Sequence, residues 1–155
     1  MKYLIEQFYL AFSNMDAEKM VGFYHDDVVF EDPAFGILNG EHAKNMWRML
    51  IASQKGKTFT VKASDFRFTD RKGFAHWEAQ YQFSQTGRQV HNIIEAEFEF
   101  KDGKIIKHTD SFDLHQWAKQ AMGFKGFLLG GTGFFKKKLQ EQTNRLLRKF
   151  ENKNS

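Results

Sequence analysis

Apolar residues recur at helical spacing from the first positions of the chain. Leu4, Ile5, Phe8 and Phe12 fall on one face of a helix predicted over residues 2–13. Asp16 is suited to cap a second short helix, because its carboxylate can accept an orphan backbone N–H of the first turn. Met20, Val21 and Phe23 give that helix its apolar side. The pattern breaks at Asp26-Asp27 into a strand, VVFED, which the chain's single proline, Pro33, stops because it has no amide donor for a ladder. Gly36 and Gly40 bracket a loop. Residues 41–53 return to helical spacing, carrying Met46, Trp47, Leu50 and Ile51.

From Thr58 to Asp113 the pattern is β. Four segments, FTVKASDFRFTD, FAHWEAQYQFS, QVHNIIEAEFEF and KIIKHTDSFD, are separated by turn signals at Asp70-Arg71-Lys72-Gly73, Gln85-Thr86-Gly87-Arg88 and Lys101-Asp102-Gly103. Helices followed by an antiparallel meander make an α+β chain. Taking Thr86-Gly87 as a two-residue turn pairs Gln85 with Arg88, so residues whose numbers sum to 173 face each other. One face then carries Trp77, Ala79, Tyr81 and Phe83 with Ala96, Ile94, Asn92 and Val90. The other carries His76, Glu78, Gln80 and Gln82 with Glu97, Glu95, Ile93 and His91. The first face is the apolar one and is expected to meet the helices. A slip of one residue would instead send His76 and His91 inward as an acid/base pair, while exposing Trp77, Tyr81 and Phe83 together.

Polar residues on that apolar face are the candidates for chemistry. Asn92 needs partners if buried, so it is either a structural hydrogen-bonder or a ligand contact. On the last strand, the set containing Ile106 and Phe112 is the more apolar, which turns His108 and Asp110 inward. A buried carboxylate is costly unless paired. Asp110 is therefore either bonded structurally to His108 or Asn92, or a cavity group with a raised pKa suited to proton transfer. Asp113 and Trp117 are expected to cap and anchor the next helix.

Composition narrows the classes. A chain of 155 residues is long enough for one substantial core, and eighteen phenylalanines point to a bulky core, an apolar cavity, or both. There is no cysteine, which removes disulfides, thiolate nucleophiles and Cys-based zinc sites. No metal-ligand spacing and no cofactor motif is present; GGTGFFKKK lacks the Gly-Lys-Ser/Thr ending of a phosphate loop. No apolar run approaches a membrane span or a signal peptide, so a soluble, cytoplasmic protein is expected. Residues 136–155 hold seven Lys/Arg against two Asp/Glu, so the basicity belongs to the tail and no nucleic-acid role is expected of the domain. In that tail, LHQWAKQAMG reads as a helix ending at Gly123. GFKGFLLGGTG mixes glycine with exposed apolar residues, and FFKKKLQEQTNRLLRKF reads as a basic amphipathic helix.

Three stretches, QFYLAFSNMD, GFYHDDVVFEDPAFGILNGEHAKNMW and the hairpins through KHTDSFD, resemble in order the nuclear transport factor 2-like superfamily. The likeness is to its SnoaL-like, ketosteroid-isomerase-related branch, over about residues 1–117. The resemblance implies a cone-shaped, curved antiparallel sheet packed on three N-terminal helices, with an apolar pocket and a homodimer. Residues 118–155 would form a C-terminal helical extension packed on the domain or on its partner. In the isomerases the aspartate of the equivalent "EDP" is the general base, which maps onto Asp32. The oxyanion donors do not carry over: they fall on Phe8 and Ala96, and such donors are typically worth about 2.7–4 kcal/mol each. Steroid isomerisation is thus disfavoured. The site expected from all of this has Asp32, Asp110 and His108 as catalytic groups, and Asn92, Trp47, Trp77, Tyr81, Phe112 and Phe8 as ligand contacts. It lacks the inward arginine that an Asp-Arg-Asp epoxide-opening set requires. The expected function is acid–base chemistry of isomerase, cyclase or dehydratase type on a small hydrophobic molecule. The alternatives are a non-catalytic binder of such a molecule, or an interaction module. GFLLGGTGFF could lid the pocket or meet a dimer partner. Packing of the basic helix on its own domain is favoured over rest on an acidic membrane surface.

Overall fold

The computed structural model describes residues 1–154. The helical spacings form α1 (Lys2–Ser13), α2 (Ala17–Gly22) and α3 (Glu41–Gln54). Asp16 caps α2 by accepting the Lys19 backbone N–H at 3.1 Å, as its position predicts. The β region forms β3 (Thr60–Phe68), β4 (Lys72–Gln82), β5 (Gln89–Lys101) and β6 (Lys104–Ser111), paired antiparallel in sequence order. The β5–β6 turn has Asp102 and Gly103 both at positive φ (53° and 74°), the conformation that matches hairpin twist.

The N-terminal part of the sheet extends beyond the sequence reading. β1 (Tyr24–Asp32) begins before VVFED, with its register broken between Tyr24 and Val29, where Asp26-Asp27 lie. Residues read as a loop form a further strand, β2 (Gly36–Asn39), which pairs antiparallel with β1 around the turn at Pro33. β1 pairs parallel with β6, giving one six-stranded sheet in the order β2-β1-β6-β5-β4-β3, antiparallel at every junction but that one.

The β4–β5 register differs from the expected one by two residues. Trp77 opposes Ile94 and Tyr81 opposes Val90, so partner numbers sum to 171. The loop has four residues, Ser84 to Gly87, closed by the Phe83 N–H to the Arg88 carbonyl at 2.8 Å. Tertiary contacts decide this: Thr86 Oγ1 donates to the Ala121 carbonyl and Arg88 Nε to that of Gln120. A shift of two preserves parity, so the faces are as expected. His76 and His91 lie on the outer face, bonded to Glu78 and Glu95.

The tail continues as α4 (Leu114–Met122), capped by Asp113, then α5 (Phe124–Leu129) and α6 (Gly133–Lys153). Trp117 is buried and anchors α4. α6 lies over the β1–β2 turn, where Gln140 Nε2, Thr143 Oγ1 and Asn144 Nδ2 donate to the carbonyls of Pro33, Ala34 and Phe35. α5 meets α4 through Gly126, where a Cβ would stand 1.9 Å from the Ala118 carbonyl oxygen. Gly126→Val is therefore expected to lower the unfolding free energy by about 1–3 kcal/mol, read from urea midpoints. An unchanged midpoint would show that the helices can part freely.

Candidate functional site

The concave face of the sheet, α3, the β1–β2 turn and α6 enclose a cavity of about 810 Å³. Its wall is mostly aromatic and aliphatic, and includes all three tryptophans of the chain, Trp47, Trp77 and Trp117. The carboxylates on it are those of Asp32 and Asp110.

Asp110 reaches the wall because β6 alternates inward from His108, which sits opposite Phe30 of β1 and Phe98 of β5. A bulge between Glu99 and Phe100 resets the strand ahead of it, so that Ile105, rather than Ile106, is fully buried. Behind Asp110 runs a hydrogen-bonded chain through the buried core. Trp47 Nε1 donates to the Tyr24 hydroxyl at 2.8 Å, and that hydroxyl lies 2.7 Å from His108 Nδ1. His108 Nε2 is 2.9 Å from Asp110 Oδ1, which also accepts from Trp77 Nε1 at 3.2 Å. The tautomer follows from satisfaction. Tyr24 accepts from the indole, so its one proton goes to Nδ1; His108 is then the neutral form with its proton on Nε2, donated to the carboxylate. Both donors meet Oδ1, which leaves Oδ2 without a partner among the described residues.

Asp32 closes β1 and turns back on its own loop. Its Oδ1 accepts the backbone N–H groups of Ala34 at 2.9 Å and Phe35 at 2.7 Å, an Asx turn made possible by Pro33. Burial is the main influence on this carboxyl and pushes its pKa up to about 7; the two backbone donors oppose the shift, and the nearby charge of Asp110 adds to it. Tyr81 accepts from Trp117 Nε1 at 2.8 Å, which leaves its own O–H proton to point elsewhere. Burial raises the Tyr81 pKa, and the Asp32 charge raises it further. Asn92 lines the cavity half-buried, and its side chain has no hydrogen bond within the described residues.

Of the predicted site residues, Asp32, Asp110, Asn92, Trp47, Trp77, Tyr81 and Phe112 line one cavity. His108 does not: it is fully buried behind Asp110 and can position the carboxylate but not touch a ligand. Phe8 is also corrected, being fully buried against the rings of Tyr24 and His108, while Phe12 of the next turn reaches the cavity instead. The suggested Asp110–Asn92 bond is not made. Sequence reasoning missed Tyr24, whose inward place depends on the bulge in β1 and on its pairing with β6. It also missed the contribution of α6, whose Leu139, Thr143 and Phe150 complete the wall.

Among curated proteins no sequence matches the chain. Among solved structures, an LEH-like epoxide hydrolase of M. tuberculosis superposes with a TM-score of 0.60 at 23% identity, over 83% of this chain and 90% of that one. An NTF2-like protein of unknown function from Burkholderia pseudomallei gives 0.66 at 14% identity, over 77% and 95%. A protein of Catenulispora acidiphila with a ketosteroid-isomerase-like fold gives 0.63 at 10%, over 76% and 91%. At these identities the likeness is one of fold. Residues 5–108, which contain every strand pairing described above except the last residues of β6, match the SnoaL-like domain, and the chain belongs to that family.

Proposed function

We propose that the protein is an acid–base enzyme acting on a small apolar molecule. The observation that carries this reading is the pair of carboxylates on one aromatic cavity, with only one of them braced by a buried Tyr24–His108 chain. Asp110 Oδ2, held in place through Oδ1, takes a proton from substrate carbon. Asp32, with a pKa of about 7, holds a proton near neutrality and can return one. The free Tyr81 O–H and the Asn92 amide are placed to donate to the oxygen on which charge develops. Among the described residues no arginine lines the cavity, which favours isomerase, cyclase or dehydratase chemistry over epoxide opening. Apolar walls select a hydrophobic substrate and strengthen every polar contact inside.

Proton abstraction can be followed without the natural substrate. The wild-type protein is expected to speed exchange of the α-protons of 2-tetralone into D₂O, read by proton NMR. Asp110→Asn should slow that exchange by about tenfold or more. The wild-type rate should bend near pH 7, and the bend should vanish in Asp32→Asn. Equal rates for the wild type and the Asp32→Asn/Asp110→Asn double variant would end the proposal.

A further inference from the structure

α5 is built the wrong way round for a core helix. Its one buried position is a glycine, Gly126, and the residue that caps it, Gly130, is buried as well; both pack against Ala118 of α4, too close for any side chain. Its outward positions are large and apolar. Phe124 is 76% exposed, Phe127 54% and Leu128 57%, at the i, i+3, i+4 spacing of one helical face. Leu129 and Phe134 continue the patch, so that five of the eleven large exposed apolar side chains among the described residues fall within positions 124–134. A helix that turns glycine inward and phenylalanine outward has an apolar face to cover from outside.

Charge says what covers it. Residues 119–138 contain five lysines and no acidic residue. Lys119 lies over the Phe127 ring and Lys138 over that of Phe134, so cations rim the apolar face. A second copy placed on this patch about a twofold axis would bring lysine against lysine. An anionic phospholipid surface complements both features, taking the rings at the headgroup–acyl boundary and the ammonium groups at the phosphates. The patch is also continuous with the cavity, because Lys125, Leu129, Phe134 and Lys138 belong to its lining. No helix among the described residues is long and apolar enough to cross a membrane, so the contact is with the surface.

We infer that the α5 face and the first turns of α6 dock on anionic membranes, and that the cavity draws a membrane-dissolved apolar molecule through the docked rim. The docking stands on the patch alone; the route given to the substrate rests on the catalytic reading above. Beyond those first turns α6 takes no part in the anchor, since Leu147 and the bonds of Gln140, Thr143 and Asn144 to the β1–β2 turn commit it to its own chain.

Co-sedimentation of the full chain with vesicles tests the docking. Binding to phosphatidylcholine vesicles with about 25% phosphatidylglycerol should exceed binding to pure phosphatidylcholine by about tenfold, and should weaken in about 1 M salt. Phe124→Glu/Leu128→Glu, neither of which lines the cavity, should lose about tenfold or more while keeping the wild-type rate of tetralone exchange. Lys136→Glu/Lys137→Glu gives an independent loss should the first variant misfold. Wild-type protein that leaves both vesicle types in the supernatant would overturn the inference, as would variants that bind as well as wild type. Ultracentrifugation in which Phe124→Glu/Leu128→Glu splits a dimer without lipid would reassign the patch to a second copy. Loss of exchange with docking intact would instead remove the catalytic reading.

Discussion

Asp32→Asn is expected to stabilise the protein by about 3–4 kcal/mol at pH 8 and to change it little at pH 4. The folded carboxyl has a pKa of about 7, pushed up chiefly by burial, whereas an aspartate in the unfolded chain ionises near pH 4. Between those two values the folded state keeps a proton that the unfolded state has released. Unfolding free energy therefore falls as pH rises through the window, by about 1.4 kcal/mol per pH unit, and the full penalty is present above pH 7. Asparagine keeps an Oδ1 acceptor for the Ala34 and Phe35 amides and carries no titrating charge beside Asp110 or Glu31. Urea midpoints of both proteins at several pH values should diverge upward from pH 4. Curves that stay parallel across pH 4 to 8 would show that Asp32 ionises as an ordinary surface group.

Tyr24→Phe should destabilise by about 2–5 kcal/mol, more than its single lost oxygen suggests. That hydroxyl is the hinge of the buried chain: it takes the Trp47 proton and gives its own to His108. Its removal takes from a buried indole N–H and a buried imidazole nitrogen the hydrogen-bond partner each has among the described residues, at a cost of about 1–3 kcal/mol apiece. The tautomer gives a second readout. Nitrogen NMR of His108 should show Nδ1 bare and Nε2 protonated in the wild type, with that preference weakened in the variant. A cost below 1 kcal/mol with an unchanged histidine spectrum would mean that the hydroxyl is a bystander.

How far the sequence carries can be seen at particular residues. The face assignment of β4 and β5 is legible because parity needs only the apolar alternation of Trp77, Ala79 and Tyr81; it survives even where the register is off by two. The register itself depends on Thr86 and Arg88 reaching carbonyls of α4, contacts that no local pattern records. The inward turn of Asp110 was readable from Phe112, yet the split between a cavity-lining carboxylate and a wholly buried histidine two residues earlier was not. That split depends on Phe98, Phe30 and Trp47 closing over the imidazole from three other elements. β2 was hidden for a related reason: four residues that begin on Gly36 and stop before Gly40 pair only because β1 offers them an edge.

The parallel pairing of β1 with β6 has a consequence for the order in which the molecule assembles. A nascent chain emerges with α1, α2, β1 and β2 long before Ile105 and His108 exist to meet Tyr24 and Phe30. Until then the only strand beside β1 is β2. The sheet closes only through a contact of large sequence separation, which costs loop entropy before it returns anything and slows folding. α6 comes later still, and only its arrival ties down the turn that holds Asp32. A truncated or stalled chain would hold nearly the whole sheet and no finished cavity, with the cavity faces of Trp47 and Trp77 open to whatever else is unfolded nearby.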